Sequence, residues 1–296
     1  MNPQTIPAGS RSIEISHRNK VLFPDQGITK SDLLDYYRRI ADKMFPFLKE
    51  RPLTMERYPD GIEEKGFYQK EAPEYFPDWI QRAQIPVLSE DQEQPQVICN
   101  DLATLLYLVN QGCVTFHPWL SQVDQLHHPD KMIFDLDPPD HSFDPVRFAA
   151  QKLKNLLEEQ DLVPYLMTTG SRGLHVIVPL ERSQDFDTVR DYAKDMAGRL
   201  AEQYPNQLTT EMNKEERGNR LFLDYLRNSY GQNSIAPYSV RPLPGAPVAT
   251  PLRWDELSNA DLHSQSYTTV NIFRRLGQIQ DPWKELIRKQ RKDDQH

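Results

Sequence analysis

Lys131-Met132-Ile133-Phe134-Asp135-Leu136-Asp137 reads as a β-strand, and Pro138-Pro139 ends it because proline cannot donate to a strand ladder. Two further strands follow, over Leu162 to Thr169 and Leu174 to Pro179. Gly170-Ser171-Arg172-Gly173 lies between them as a turn, so the pair predicts an antiparallel hairpin. Arg220-Leu221-Phe222-Leu223-Asp224-Tyr225 is another short strand. Helical patterns separate these strands. The combination predicts an α+β fold with mixed, largely antiparallel central sheets flanked by helices, rather than a doubly wound parallel sheet.

Outward from this core, residues 30–49 carry Leu33, Tyr36, Tyr37, Ile40, Ala41, Met44, Phe47 and Leu48 at the helical period, with Thr29 as N-cap. A second helix begins at Asp144-Pro145, read as an N-cap followed by a first-turn proline. A third covers about 186–201, with Val189, Tyr192, Ala193, Met196, Ala197 and Leu200 on one stripe. A fourth covers about 101–111 through Leu102, Leu105, Leu106 and Leu108. The acid- and Gln-rich stretch Ser89 to Pro95 reads as a surface loop. No linker divides the chain, so residues 1–296 are read as a single domain.

The length of 296 residues is ample for a buried core, which excludes global disorder. No apolar run approaches the roughly 18 residues of a membrane span. Met1 to Ser10 has no apolar signal-peptide core, so a cytoplasmic protein without membrane attachment is expected. Cys99 and Cys113 are too few for a disulfide framework and lack clustered partners for a structural zinc site. The formal net charge of −8 argues against indiscriminate coating of nucleic acid. Residues 1–51 nonetheless hold nine Lys and Arg against six acids, a local excess of +3 that leaves −11 elsewhere.

Three carboxylates carry the first chemical signal. Asp135 and Asp137 are two apart on one strand, so their side chains share a face. Two such groups repel unless one is protonated or a cation neutralises both, and hard divalent ions favour oxygen donors. Asp224 ends a second apolar strand in the same way. Together they suit a pair of ions for phosphoryl transfer. An Asp at a strand end is also an ordinary turn residue, and Asp-x-Asp alone leaves both readings open. The turn Thr168-Thr169-Gly170-Ser171-Arg172-Gly173-Leu174-His175 supplies the second signal. Its hydroxyls, glycines, guanidinium and imidazole suit a triphosphate, with His175 facing a cleft. It lacks the order of a P-loop, and an ordinary hairpin turn remains its alternative. Lys30 falls in the first turn of a helix, where a bound anion would offset the unfavourable dipole, with an exposed Lys under weak dipole repulsion as the alternative. Phe67-Tyr68 beside Lys65 and Lys70 pairs aromatic surface with charge, as single-strand binders do, with a core aromatic pair as the alternative.

With these pieces in place, the chain resembles the polymerase domain of the prokaryotic non-homologous end-joining DNA ligase D family, within the archaeo-eukaryotic primase superfamily. The matching landmarks are Asn19-Lys20-Val21-Leu22-Phe23-Pro24, Thr29-Lys30-Ser31-Asp32, Gly66-Phe67-Tyr68-Gln69-Lys70, and Asn110-Gln111-Gly112 with His117-Pro118-Trp119. They continue through Asp135-Leu136-Asp137-Pro138, Gly170 to His175, Leu223-Asp224-Tyr225-Leu226-Arg227-Asn228 and Tyr238-Ser239-Val240-Arg241-Pro242. Each is weak alone, and their shared order over nearly the whole chain is strong.

The resemblance implies a primase-polymerase core at about 101–296 behind a DNA-binding part at about 1–100. It implies two divalent ions, Mn²⁺ or Mg²⁺, on Asp135, Asp137 and Asp224. It implies an NTP or dNTP held by Thr169, Ser171, Arg172, His175 and Arg241, with His117 beside the nucleotide. Lys20 and Lys30 would take the 5′-phosphate of a DNA gap or end, and Phe67 or Tyr68 would stack on the template. Arg217, Arg220 and Arg227 would meet primer, template or phosphate. Thr169 and Arg172 stand where family loops commonly carry Ser and Lys, which keeps both donor and charge. The implied activity is template-directed addition of ribonucleotides or deoxyribonucleotides to a primer 3′-hydroxyl, in end joining or gap repair. Primer-independent priming and a metal-dependent phosphatase built on Asp135-Leu136-Asp137 are the alternatives. The implied partners are a separate DNA ligase and a Ku-like end-binding protein, in a nucleoid-associated cytoplasmic setting.

Overall fold

The structure is a computed structural model that describes residues 4–87, 92–140 and 142–293. The chain forms two compact units, Met1–Asp124 with Asn233–Pro247, and Gln125–Gln232 with Val248–His296.

In the first unit, a sheet runs in the order Phe67–Gln69, Pro52–Arg57, Gln92–Ile98, Arg82–Val87, and Cys113–Pro118 also pairs with Pro52–Arg57. Every pairing is antiparallel. The central strand Pro52–Arg57 is buried along its whole length. The helix Lys30–Leu48 begins where expected because Thr29 forms a reciprocal cap. Its hydroxyl accepts from the Asp32 N–H, and the Asp32 carboxylate accepts from the Thr29 N–H at 2.8 Å. The stripe from Leu33 to Leu48 is buried, and Tyr37 Oη reaches the Val114 carbonyl at 2.5 Å. The helix Leu102–Asn110 is capped by Asp101. Residues 233–247 return to this unit, where Ala236 N–H donates to Phe116 O at 2.9 Å and Thr115 Oγ1 donates to Val240 O at 2.7 Å. Cys99 and Cys113 are both free and buried.

In the second unit, six strands lie in the order Leu208–Thr209, Leu221–Asp224, Lys131–Asp137, Leu174–Pro179, Tyr165–Thr168, Thr250–Leu252. The first pair is parallel and the others antiparallel, including the expected hairpin. The helices Asp144–Glu158 and Phe186–Gln203 bring Ala149, Leu153, Leu157, Ala193, Met196 and Leu200 onto one sheet face. Each of the fully buried Leu and Met side chains contributes about 1.5–3 kcal/mol. The fold class is therefore α+β with mainly antiparallel sheets, as the sequence predicts.

Several local expectations need correction. Gln92–Ile98 is a strand paired with Arg82–Val87, so the second half of Ser89 to Pro95 is not loop; Ser89 to Asp91 lie outside the described residues. Pro95 still contributes a carbonyl, which accepts from Ala72 N–H at 2.7 Å. Asp144 is the first residue of its helix rather than its cap, and Phe143 precedes it without a side-chain cap. Tyr192 is 39% exposed, at the edge of its stripe rather than within it.

Arg275 fastens the last strand. Its guanidinium donates to both Glu256 oxygens and to the Pro251 carbonyl, and lies over the Tyr267 ring at 4.3 Å. Arg275→Ala strands a largely buried carboxylate, so the free energy of unfolding falls by about 3 kcal/mol in a urea titration at neutral pH. Burial raises the Glu256 carboxyl, but the bonds from Arg275 outweigh that and leave it below the usual range. A depressed carboxyl contributes stability above its unfolded pKa and loses it as pH falls through the folded value. The wild-type advantage over Arg275→Ala therefore shrinks on acidification through the carboxylate range, and an undiminished advantage in acid would contradict this account.

Candidate active site

Strand alternation sets the site. Met132, Phe134 and Leu136 enter the core of the second unit, which leaves Asp135 and Asp137 on the opposite face. The next strand repeats the pattern, with Leu174, Val176 and Val178 in the core and His175 in register with Asp135. On the other side Asp224 is in register with Asp135. Residues so paired bring their Cβ atoms to about 4.5–5.5 Å, so the three carboxylates share one patch. Asn228 holds the central strand where Asp224's strand has ended. Its fully buried amide accepts from Ile133 N–H at 2.8 Å and donates to Ile133 O at 2.7 Å, like one more strand residue.

Each carboxylate has a different environment. Asp135 is 7% exposed. Burial raises its carboxyl, but His175 at 3.4 Å and Arg227 at 3.1 Å outweigh that and hold it well below the usual carboxylate range. Asp137 is half-exposed; burial and then the neighbouring Asp135 push it up, against the Arg172 guanidinium at 3.3 Å. Burial also raises Asp224, opposed by the Leu226 N–H that its Oδ1 accepts at 2.8 Å. His175 is 4% exposed, so the structure spends it on Asp135 rather than opening it to a cleft.

Around this acidic floor is a basic rim. A cleft of about 350 Å³ is lined by all three carboxylates together with Arg172, Lys214, Arg217, Arg220 and Arg227. Two of the guanidinium groups are held by backbone. Arg217 donates to Glu211 O at 2.8 Å and stacks on Phe222 at 3.8 Å, and Arg220 donates to Arg217 O at 2.9 Å. Ordered this way, they present positive charge without a further entropic cost.

The turn beside the carboxylates is organised from within. Thr169 Oγ1 accepts from Ser171 N–H at 3.3 Å and Gly173 N–H at 3.2 Å, so its hydroxyl sits inside the turn. Gly170 takes φ +68°, a backbone state that glycine adopts without penalty. Arg172 is left exposed on the cleft.

The first unit holds the remaining predicted residues. His117 is buried with its Nε2 3.2 Å from Glu56 Oε2, and the Tyr68 ring lies 5.6 Å from the imidazole. Burial raises Glu56, but His117 and then Arg241 outweigh it, and the carboxyl stays low. Arg241 Nε is buried without a hydrogen bond among the described residues. Lys20 and Lys30 are brought together, with Lys30 N–H donating to Lys20 O at 2.8 Å. The Lys30 ammonium is buried against the Asn110 carbonyl at 2.9 Å, and burial followed by Lys20 lowers its pKa. Lys20 pairs with Asp60 at 2.5 Å. Phe67 and Tyr68 are 44% and 63% exposed on an edge strand. Glu56 and Lys214 escaped the sequence reading and Asn228 stood in it only as part of a landmark, because no short-range pattern marks a residue whose partner is distant in the chain.

Among the described residues, no three His, Cys, Asp or Glu side chains are already gathered as a metal cluster, and guanidinium groups engage two of the three carboxylates. The donor set still fits a hard cation. It consists of carboxylates only, and Asp135 Oδ1 is buried without a hydrogen bond among the described residues. An added positive charge would also lower the raised Asp137 and Asp224 carboxyls.

The family described as the LigD primase-polymerase domain matches residues 29–283. The multifunctional non-homologous end joining protein LigD of Pseudomonas aeruginosa is 32% identical over 93% of this chain, and the bifunctional LigD of Bacillus subtilis is 30% identical over 93%. The chain spans only 33% and 44% of the length of those two proteins. The polymerase domain of Mycobacterium tuberculosis ligase D, solved in complex with DNA, superposes with a TM-score of 0.86 at 27% identity, covering 93% of this chain and 98% of that one. Family model, relatives and overall superposition agree: the chain belongs to the LigD primase-polymerase domain family.

Proposed function

We propose that this chain is a DNA-dependent nucleotidyltransferase that extends a primer 3′-hydroxyl at a gap or broken end during end joining. The observation that carries the reading is the register of Asp135 with Asp224 and His175, which gathers carboxylates beneath a rim of five cationic side chains. In the proposed reaction the 3′-hydroxyl oxygen bonds to the α-phosphorus of a nucleoside triphosphate, and pyrophosphate leaves. Asp135, Asp137 and Asp224 would hold two divalent cations, Mn²⁺ or Mg²⁺. Bound there, they would supply charge neutralisation and a lower hydroxyl pKa. Arg172 offsets triphosphate charge from the turn. His175 and Arg227 hold the Asp135 carboxylate in place, and Arg217 and Arg220 present guanidinium groups to phosphates. Thr169 shapes the turn that presents Ser171. The family resemblance assigns His117 and Arg241 to nucleotide binding, and His117 would sense a ribose 2′-hydroxyl and so favour ribonucleotides. Lys20 and Lys30 take the downstream 5′-phosphate, and Phe67 and Tyr68 stack on template bases. A separate DNA ligase and a Ku-like end-binding protein would complete the setting, the cytoplasm beside the nucleoid. Among the described residues, no helix is long and apolar enough to cross a membrane.

The test is primer extension on a gapped duplex with and without a 5′-phosphate, with Mn²⁺ against Mg²⁺ and ribonucleotides against deoxyribonucleotides. Extension with pyrophosphate release is expected, whereas release of inorganic phosphate alone would favour a phosphatase. Dinucleotide synthesis without a primer would favour priming. Replacing both Lys20 and Lys30 by Ala is expected to weaken binding by about tenfold when the gap carries the phosphate, because charge-assisted hydrogen bonds are lost. Equal weakening on gaps without the phosphate would remove the case for this pocket.

A further inference from the structure

The Thr169–Gly173 turn, organised from within, is also held from outside. A segment more than ninety residues later in the chain closes over it. Ser264 is 3% exposed; its hydroxyl donates to Gly173 O at 2.9 Å and lies 3.2 Å from Thr169 Oγ1. The half-buried Gln265 donates through Nε2 to Ser171 O at 2.9 Å. The segment is itself braced, since His263 N–H donates to Ser266 Oγ at 2.8 Å and Asn271 Nδ2 to Ser266 O at 3.0 Å.

The consequence follows from the planarity of the peptide. Ser171 C=O and Arg172 N–H belong to one unit and point in opposite directions. Holding the carbonyl from one side fixes the direction of the N–H and the departure of the Arg172 side chain. Hydrogen bonding to the carbonyl also polarises the unit and makes its N–H a stronger donor. Ser264 does the same service at the other end of the turn, at Gly173, where the backbone passes against the strand bearing Asp135 and Asp137.

We propose that Ser264 and Gln265 are positioning residues for the anion-holding turn, setting nucleotide affinity through Ser171, Arg172 and Gly173 without contacting substrate. This rests on the reading above, in which the turn takes the triphosphate. A turn left to itself would sample other conformations, and the cost of ordering it would fall on each nucleotide that binds.

The experiment is steady-state extension by the full chain with wild type, Gln265→Ala, Gln265→Glu, Ser264→Thr and Arg172→Ala. Melting temperature and gapped-DNA affinity are measured alongside. Gln265→Ala is expected to raise the nucleotide KM about tenfold, the loss of one hydrogen bond, while kcat, DNA affinity and melting temperature hold. Gln265→Glu sets an acceptor against the Ser171 carbonyl and is expected to raise KM further. Ser264→Thr keeps the hydroxyl and stays near wild type. Unchanged KM in Gln265→Ala would overturn the proposal. So would a parallel fall of kcat and melting temperature, the mark of a merely structural contact. Arg172→Ala separates the two layers. If it leaves KM unchanged, the triphosphate reading of the turn fails and the proposal with it. If Arg172→Ala raises KM and Gln265→Ala does not, only the positioning role falls.

Discussion

Asp137→Ala abolishes nucleotide addition, by about 10³-fold or more, on the scale of removing a principal electrostatic stabiliser of a transition state. Binding to 5′-phosphorylated gapped DNA is expected to stay largely intact, because Lys20 and Lys30, the proposed phosphate ligands, lie outside the unit that carries Asp137. Asp137 is half-exposed and engaged only weakly by Arg172 at 3.3 Å across solvent-accessible surface. Burial and Asp135 hold its carboxyl above the usual value, so its ionised form works against the fold at neutral pH. A group raised in this way contributes stability below its unfolded pKa and loses it as pH rises through its folded pKa. Asp137→Asn is therefore expected to melt higher than wild type at pH 7 in EDTA, and the gap should close in acid below the carboxylate range. Catalysis lost while stability rises is the signature of a carboxylate kept for function. Full extension by Asp137→Ala in Mn²⁺ would end the metal assignment, and a lower melting point at pH 7 would end the electrostatic one.

Gly173→Ala carries the second large effect. A Cβ at Gly173 would lie 2.0 Å from the Leu136 carbonyl oxygen, 2.8 Å from its carbon and 2.9 Å from Asp137 Oδ1. Two of those atoms are backbone, so no rotamer change relieves the overlap. The hairpin must separate from the Lys131–Asp137 strand where Leu136 pairs with Leu174. We expect a loss of about 3 kcal/mol, at the upper end of overpacking costs, with nucleotide addition abolished. Gly198→Ala is the control. Its Cβ meets nothing within 4 Å in the middle of the Phe186–Gln203 helix, so stability should rise by about 0.5–1 kcal/mol. Denaturant melts of the two variants decide the matter, and a wild-type melt for Gly173→Ala would show that the turn approaches the strand less closely.

The two effects meet at one seam. The turn can lie against the carboxylate strand only because residue 173 has no side chain, and that closeness puts Arg172 within reach of Asp137. Asn228 serves the same seam from the other side, replacing a strand by a buried amide.

The sequence alone determined the local elements whose causes are local. Alternation along Lys131–Asp137, the capped helix after Thr29 and the Gly-rich hairpin all depend on residues a few positions apart, and each forms, although the hairpin's first strand begins at Tyr165 rather than Leu162. Asp144 and Tyr192 departed from the pattern only at an element's start and a stripe's edge, where a one-residue shift costs little. Gln92–Ile98 was unreadable as a strand because its polar surface and Pro95 hide a pairing supplied by Arg82–Val87. The tertiary structure decided what faces what: Asp224 across from Asp135, Glu56 on His117, the Lys30 amine on the Asn110 carbonyl, and Ser264 with Gln265 on the turn. These contacts depend on which strands pair and in which register. That choice is settled by the burial of whole apolar faces against distant partners, and no short stretch of sequence contains it.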